Sequence, residues 1–178
     1  MGNELKTITT PLSRDVVRSL KAGDEVLVSG VLYSARDQAH LRLCRAIEEG
    51  GELPFDLSGA CIYFLGPSPA RPGRVIGAAG PTTSSRMDAF SPALLERGLA
   101  AMIGKGYRSE KIRDALKKFT AVHLSVVGGA AAILSKKIVA CEVIAYEDLG
   151  AEAIRRLEVV ELPAVVAYDC HGGSVYDR

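Results

Sequence analysis

The sequence predicts an α/β fold: a single domain with a mixed β-sheet and flanking helices. Three observations carry that prediction. Short runs rich in Val, Ile and Ala alternate with segments whose apolar residues recur at helical spacing. Further strand-like runs crowd the C-terminal part, so the sheet is expected to be mixed rather than purely parallel. The length, 178 residues, suits one domain with a full hydrophobic core.

The elements follow in order. Glu25–Tyr33 (EVLVSGVLY) is rich in Val and Leu and reads as a strand. A helix should follow, with Ser34 as its cap, Asp37 as a short capping-box partner and Ala39, Leu43, Ala46 and Ile47 on one face. Gly50 and Gly51 stop it. Ala60–Leu65 reads as a strand, Gly66–Gly73 (GPSPARPG) as a loop and Val75–Ala79 as a buried strand. Ser91-Pro92 opens a helix that runs through Leu94, Leu95, Leu99 and Met102 towards Gly104 or Gly106. Ser109 caps the next helix, on which Ile112, Ala115, Leu116 and Phe119 share a face. Val122–Val127 reads as a strand and Gly128–Ser135 as a short helix of small residues. Ile138–Ala145 and Pro163–Tyr168 read as strands, Asp169–Gly173 as a turn and Ser174–Tyr176 as the end of a hairpin.

Lys and Arg number 22 against 21 Asp and Glu. This balance offers no bulk attraction to nucleic acid or to an acidic membrane, so functional positive charge must be local. The N-terminus is polar, no apolar run approaches the length of a membrane span, and a cytoplasmic protein is expected. The cysteines, Cys44, Cys61, Cys141 and Cys170, form no C-x-x-C pair. Zinc and iron-sulfur sites usually contain one, so reduced, mostly buried thiols and no metal held by this chain are expected.

Three polar segments stand beside buried strands: Ser34–His40 (SARDQAH), Gly80–Asp88 (GPTTSSRMD) and Gly104-Lys105-Gly106. In Gly80–Asp88 the hydroxyls and backbone amides can face an anion, and Arg86 offers a planar fork suited to a carboxylate. Lys105 lies between glycines that allow close backbone approach to a ligand. It is no P-loop lysine, because one residue too many separates Gly98 from Gly104 and Gly106 replaces the Ser or Thr. Arg36, in a first helical turn, opposes the helix dipole, which argues against a purely structural role. Singly, each segment also reads as an ordinary loop or surface charge, and His40 as a core histidine. Together, Arg36, Arg86 and Lys105 suit a pocket for a small dicarboxylate. Residue types and spacing name no reaction.

The run GPTTSSRMDAFSPALLERGLAAMIGKG resembles the signature of class I fumarase beta subunits and of the related L-tartrate dehydratase beta subunits. SGVLYSARDQAH precedes it, and RSEKIRDALKKFTAVHLSVVGGAAAIL and ELPAVVAYDCHGG follow it, in the family's order. The resemblance spans about Leu5 to Tyr176 and implies one domain over residues 1–178, of the swivelling β/β/α type. It implies a hydro-lyase that hydrates fumarate reversibly to L-malate with a four-iron, four-sulfur cluster. That cluster would be held by three cysteines of an alpha subunit, with one open iron acting as a Lewis acid.

This chain would then bind no cofactor alone and would be active only with its alpha partner. By the resemblance, Arg36, Arg86 and Lys105 bind substrate. Thr82 binds and positions it or transfers a proton, and Lys105 joins it in the catalytic set. Asp37, His40 and Thr83 are supporting positions. A chain produced alone exposes its interface, which leaves room for a homodimer. Ser85 departs from the Gly of many fumarases, and CHGG is similar to the tartrate dehydratase side. A tartrate or other hydroxy-dicarboxylate dehydratase is the first alternative, and a non-catalytic dicarboxylate-binding module the second.

Overall fold

The computed structural model describes residues 4–126 and 130–177. Seven strands form one sheet: β1 (Lys6–Thr9), β2 (Glu25–Ser34), β3 (Cys61–Tyr63), β4 (Ala101–Gly104), β5 (Val122–Ser125), β6 (Ile138–Ala145) and β7 (Ile154–Tyr168). The helices are α1 (Arg14–Ser19), α2 (Asp37–Glu48), α3 (Ser91–Glu96), α4 (Glu110–Phe119) and α5 (Ala131–Ser135). Short 3-10 turns cover Ser84–Met87 and Glu147–Glu152, the latter broken by a kink at Gly150.

The pairing closes on itself. One edge of β2 carries β7 in antiparallel register, from Glu25 opposite Val165 to Ser34 opposite Arg155. The other edge takes β1 along Val26–Ser29 and β3 at Tyr33–Ser34, both parallel. β4 and β5 continue in parallel, and β5 pairs with the C-terminal part of β7. The first half of β7 pairs with β6. Strands β2, β3, β4, β5 and β7 thus complete a circuit, with β1 and β6 flanking it.

Side chains alternate across the strands, and this alternation builds two cores. Val26, Val28, Leu32, Cys61, Tyr63, Ala101, Ile103, Val122, Leu124 and Val166 fill the space between the parallel and antiparallel layers. Ile62, Phe64 and Met102 face the other way, where Ala39, Leu43, Leu94, Leu95, Ile112 and Leu116 pack from α2, α3 and α4. The result is a mixed sheet folded into two β layers with one helical layer, in agreement with the sequence prediction.

Several expected elements are corrected. Ser34 does not cap α2: it ends β2, is fully buried, and its Oγ accepts the Arg155 N–H at 3.1 Å. The residue at the cap position is Arg36. α3 begins after Phe90, and Ser91 returns its hydroxyl to the Met87 carbonyl instead of capping. That helix ends at Glu96, Gly98 turns the chain, and Leu99–Met102 leads into and along β4. Val75–Ala79 forms no strand, although Ile76 and Ala79 are buried. β7 begins nine residues earlier than Pro163, at Ile154. β5 ends at Ser125, and of the expected Gly128–Ser135 helix, residues 128 and 129 lie outside the described residues, as does Val127. The terminal hairpin is one bridge, Tyr168 to Ser174. Ser109 caps α4 as expected, accepting from the Ile112 N–H.

Candidate dicarboxylate site

The parallel strands β2, β3 and β4 point their carboxyl ends the same way, and the exits of parallel strands are where α/β sheets bind ligands. Arg36 follows β2, Gly66 follows β3, and Lys105 follows β4 directly. Lys105 therefore stands at a strand end, not at a helix C-terminus as its sequence context suggested.

Gly80–Asp88 is stitched between these exits. Pro81 bridges to Leu65, the Thr82 N–H donates to the Phe64 carbonyl at 2.7 Å, and Thr83 bridges to Lys105. The Ser84 N–H donates to the Lys105 carbonyl at 2.8 Å. Thr82 is half-buried; Thr83 and Lys105 are exposed. Gly104 lets this arch come close. A Cβ there would collide with Ser84 Oγ and stand 2.8 Å from Phe64 Cδ2. Gly104→Ala is expected to push the arch outward and to destabilise the fold by about 1–3 kcal/mol. Thermal denaturation checks this, and an unchanged midpoint contradicts it.

Arg36 lies across the exit of β3. A Cβ on Gly66 would meet its Nη1 at 2.8 Å and its Cδ at 2.9 Å, so the side chain uses the space that glycine leaves. Its Nε is shielded and has no hydrogen-bond partner among the described residues. Neither Arg36 nor Lys105 has an ion-pair partner among the described residues. Arg86 differs. Its Nε and Nη2 donate to the two oxygens of Asp37 at 3.1 and 2.8 Å. The Arg86 side chain is 50% exposed, so this pair adds little stability and orients the guanidinium instead. The structure thus brings Arg36, Asp37, Thr82, Thr83, Arg86 and Lys105 to one end of the sheet.

His40 sits beneath them. Its Nδ1–H donates to the Arg36 carbonyl at 2.8 Å, and its ring packs against Phe64 and Phe90. Burial lowers its pKa from 6.5 to about 4, so the imidazole is neutral at pH 7. It braces the turn that presents Arg36, and its buried Nε2 has no hydrogen-bond partner among the described residues. His123, on β5, is also fully buried, and desolvation together with Arg108 pushes its pKa well down.

In the unfolded chain His40 takes a proton below about pH 6.5, whereas in the folded chain it resists until about pH 4. Stability should therefore be full above pH 6.5 and fall as pH drops towards 4, by about 2 kcal/mol between pH 7 and 5 for His40 alone. Urea denaturation at the two pH values measures this. Equal stabilities would contradict the burial of neutral imidazoles.

The sequence reading missed the polar network behind the arch. The Arg108 side chain is 0% exposed and pairs with Asp88 at 2.6 Å. It also reaches Ser91 and His123, and His123 reaches Ser84. The signals available were an Arg just before the Ser109 cap and a His within an apolar strand, and both read as ordinary.

No three His, Cys, Asp or Glu side chains among the described residues converge so that they could hold a metal ion. Cys61 is fully buried, with burial raising its thiol pKa, and the other cysteines are separate and half-buried. These residues do not fit an iron-sulfur cluster. No helix among the described residues is long and apolar enough to cross a membrane.

A family model described as the fumarase C-terminus matches residues 3–178. Fumarate hydratase 2 of Leishmania major is 34% identical over 93% of this chain, which covers 29% of that protein. The anaerobic class I fumarate hydratase of Escherichia coli is 35% identical over 100% of the chain, which covers 32% of it. A candidate L(+)-tartrate dehydratase subunit beta of Methanocaldococcus jannaschii is 34% identical over 94% of the chain, which covers 89% of that subunit. The chain thus spans about a third of these fumarate hydratases and most of the small subunit.

Proposed function

This chain belongs to the fumarase C-terminus family, and we propose that it is the beta subunit of a two-component iron-sulfur hydro-lyase that hydrates fumarate reversibly to L-malate. One observation carries the reading: Arg36, Arg86 and Lys105 lie with Thr82 at the end of the sheet where three parallel strands exit. Two of these cations have no internal counter-ion among the described residues. A small dianion supplies the missing charge, and the arginine forks suit carboxylates.

On this reading, Arg36 and Arg86 clamp the substrate carboxylates and Lys105 adds a point charge. Thr82 positions the substrate or moves the proton at the carbon that gains or loses it. Threonine is a weak base at its own pKa, so a proton role depends on the surrounding cations. The cluster is held by an alpha subunit, because the cysteines here do not fit it. Such a partner accords with the share of the fumarate hydratases that this chain leaves uncovered.

Tartrate as substrate is the second reading, favoured by the 89% coverage of the small tartrate dehydratase subunit. The complex with the alpha subunit, reconstituted anaerobically, should be assayed side by side on fumarate, L-tartrate and mesaconate. Turnover of fumarate is the expected result. Dehydration of tartrate with no fumarate turnover favours the second reading. Binding of dicarboxylates without turnover reduces the chain to a binding module.

A further inference from the structure

Arg108 makes the densest set of polar contacts in this region, and all of them lie behind the ligand face. Nε donates to Asp88 Oδ1 at 2.6 Å, Nη2 to Ser91 Oγ at 2.7 Å, and Nη1 to His123 Nδ1 at 3.2 Å and to Met102 Sδ at 3.4 Å. Its backbone N–H donates to the Tyr168 hydroxyl at 3.0 Å. An arginine only donates, so Nδ1 of His123 is the acceptor and the imidazole proton sits on Nε2. That N–H then donates to Ser84 Oγ, 3.1 Å away. The Ser91 hydroxyl in turn donates to the Met87 carbonyl, and Asp88 Oδ2 accepts the Ser109 N–H.

The tethered points are Ser84, Met87 and Asp88, and they bracket Arg86. Ser84 is also bonded to Lys105, which lies three residues before Arg108 in the chain. A fully buried guanidinium is a poor way to gain stability, since apolar replacements of buried ion pairs are often neutral or better. What this arrangement provides is geometry. The arch is held at both ends from one rigid charge, while its outer face stays free.

We infer that Arg108, acting through His123 and Ser84, is the positioning residue of this half-site: it holds the Thr82–Arg86 arch and Lys105 in the register in which they meet a small dicarboxylate. The inference rests on the dicarboxylate reading of the site. Arg108 does not touch the substrate and acts only through the residues it tethers.

Two variants test it, Ser84→Ala and Arg108→Lys, each in the full chain and in the complex with the alpha subunit. The first readout is amide exchange in the chain itself. Ser84→Ala should speed exchange at Thr83–Asp88 and Lys105–Gly106 roughly tenfold, leaving α2 and α4 as they were. The second is steady-state kinetics of the complex. KM for fumarate should rise roughly tenfold in Ser84→Ala, and more in Arg108→Lys, with a smaller change in kcat.

A Ser84→Ala chain with wild-type exchange in that segment overturns the inference. Wild-type kcat and KM in an active Ser84→Ala complex also overturn it, and leave the dicarboxylate reading standing. If the wild-type complex itself turns over no dicarboxylate, the functional reading fails, and exchange still decides whether the arch is held this way. Should Arg108→Lys fail to fold, Ser84→Ala decides alone.

Discussion

Replacing Arg36 with alanine should lower kcat/KM of the complex for fumarate by roughly two to three orders of magnitude. The size follows from how little the protein itself asks of this side chain. Among the described residues Arg36 has no ion-pair partner and its shielded Nε is unsatisfied. Its guanidinium lies over Gly66, where a larger residue would displace it. A cation left unpaired within the chain can take its partner from a ligand. The variant should therefore fold with a nearly unchanged melting temperature. Wild-type kinetics in Arg36→Ala would remove it from the substrate site.

Arg86→Ala should also weaken binding, by less, because the Asp37 carboxylate already occupies its fork. Asp37 both aims that fork and competes for it. Titration of the variants with a non-reacting dicarboxylate separates the two arginines.

The second large effect is on stability. Arg108→Met removes the partner of Asp88 and leaves Ser91 and His123 without a donor they now receive. Breaking one side of a buried pair costs about 3–5 kcal/mol. For a chain of this length, that lowers the melting temperature by on the order of 10 °C. Adding Asp88→Asn should recover part of the loss, because the orphaned charge is then gone while an oxygen still accepts from Ser109. A double-mutant cycle measures the coupling directly. Equal melting temperatures for wild type and Arg108→Met would contradict the network.

What was legible in the sequence is what local chemistry decides. Ser109 announces α4 because its side chain caps within three residues. The Val and Leu content of Glu25–Tyr33 marks β2 because Val26, Val28 and Leu32 are buried in the core. Arg36, Arg86 and Lys105 were visible as charges among small residues beside apolar strands.

What was illegible depends on partners distant in the chain. Ser34 has the chemistry of a cap, yet it is consumed by Arg155 across the β2–β7 pairing. Leu94 to Met102 keeps a helical spacing, but the turn at Gly98 converts its second half into β4. The first half of β7 carries Arg155, Arg156 and Glu158, and this strand was expected only from Pro163 on. Its identity as a strand comes from being paired on both edges. The His123–Ser84 bond spans 39 residues, and no spacing rule reaches that far.

The central claim is that this chain is half of a dicarboxylate site and that an alpha subunit completes it. The most direct measurement is the absorbance of fumarate against malate, taken anaerobically with the isolated chain, the isolated cluster-loaded alpha subunit and their mixture. Turnover confined to the mixture, titrating to a fixed subunit ratio, is the result predicted. Hydration by this chain alone in the absence of iron, or a mixture in which the chain adds nothing to the alpha subunit, would contradict it.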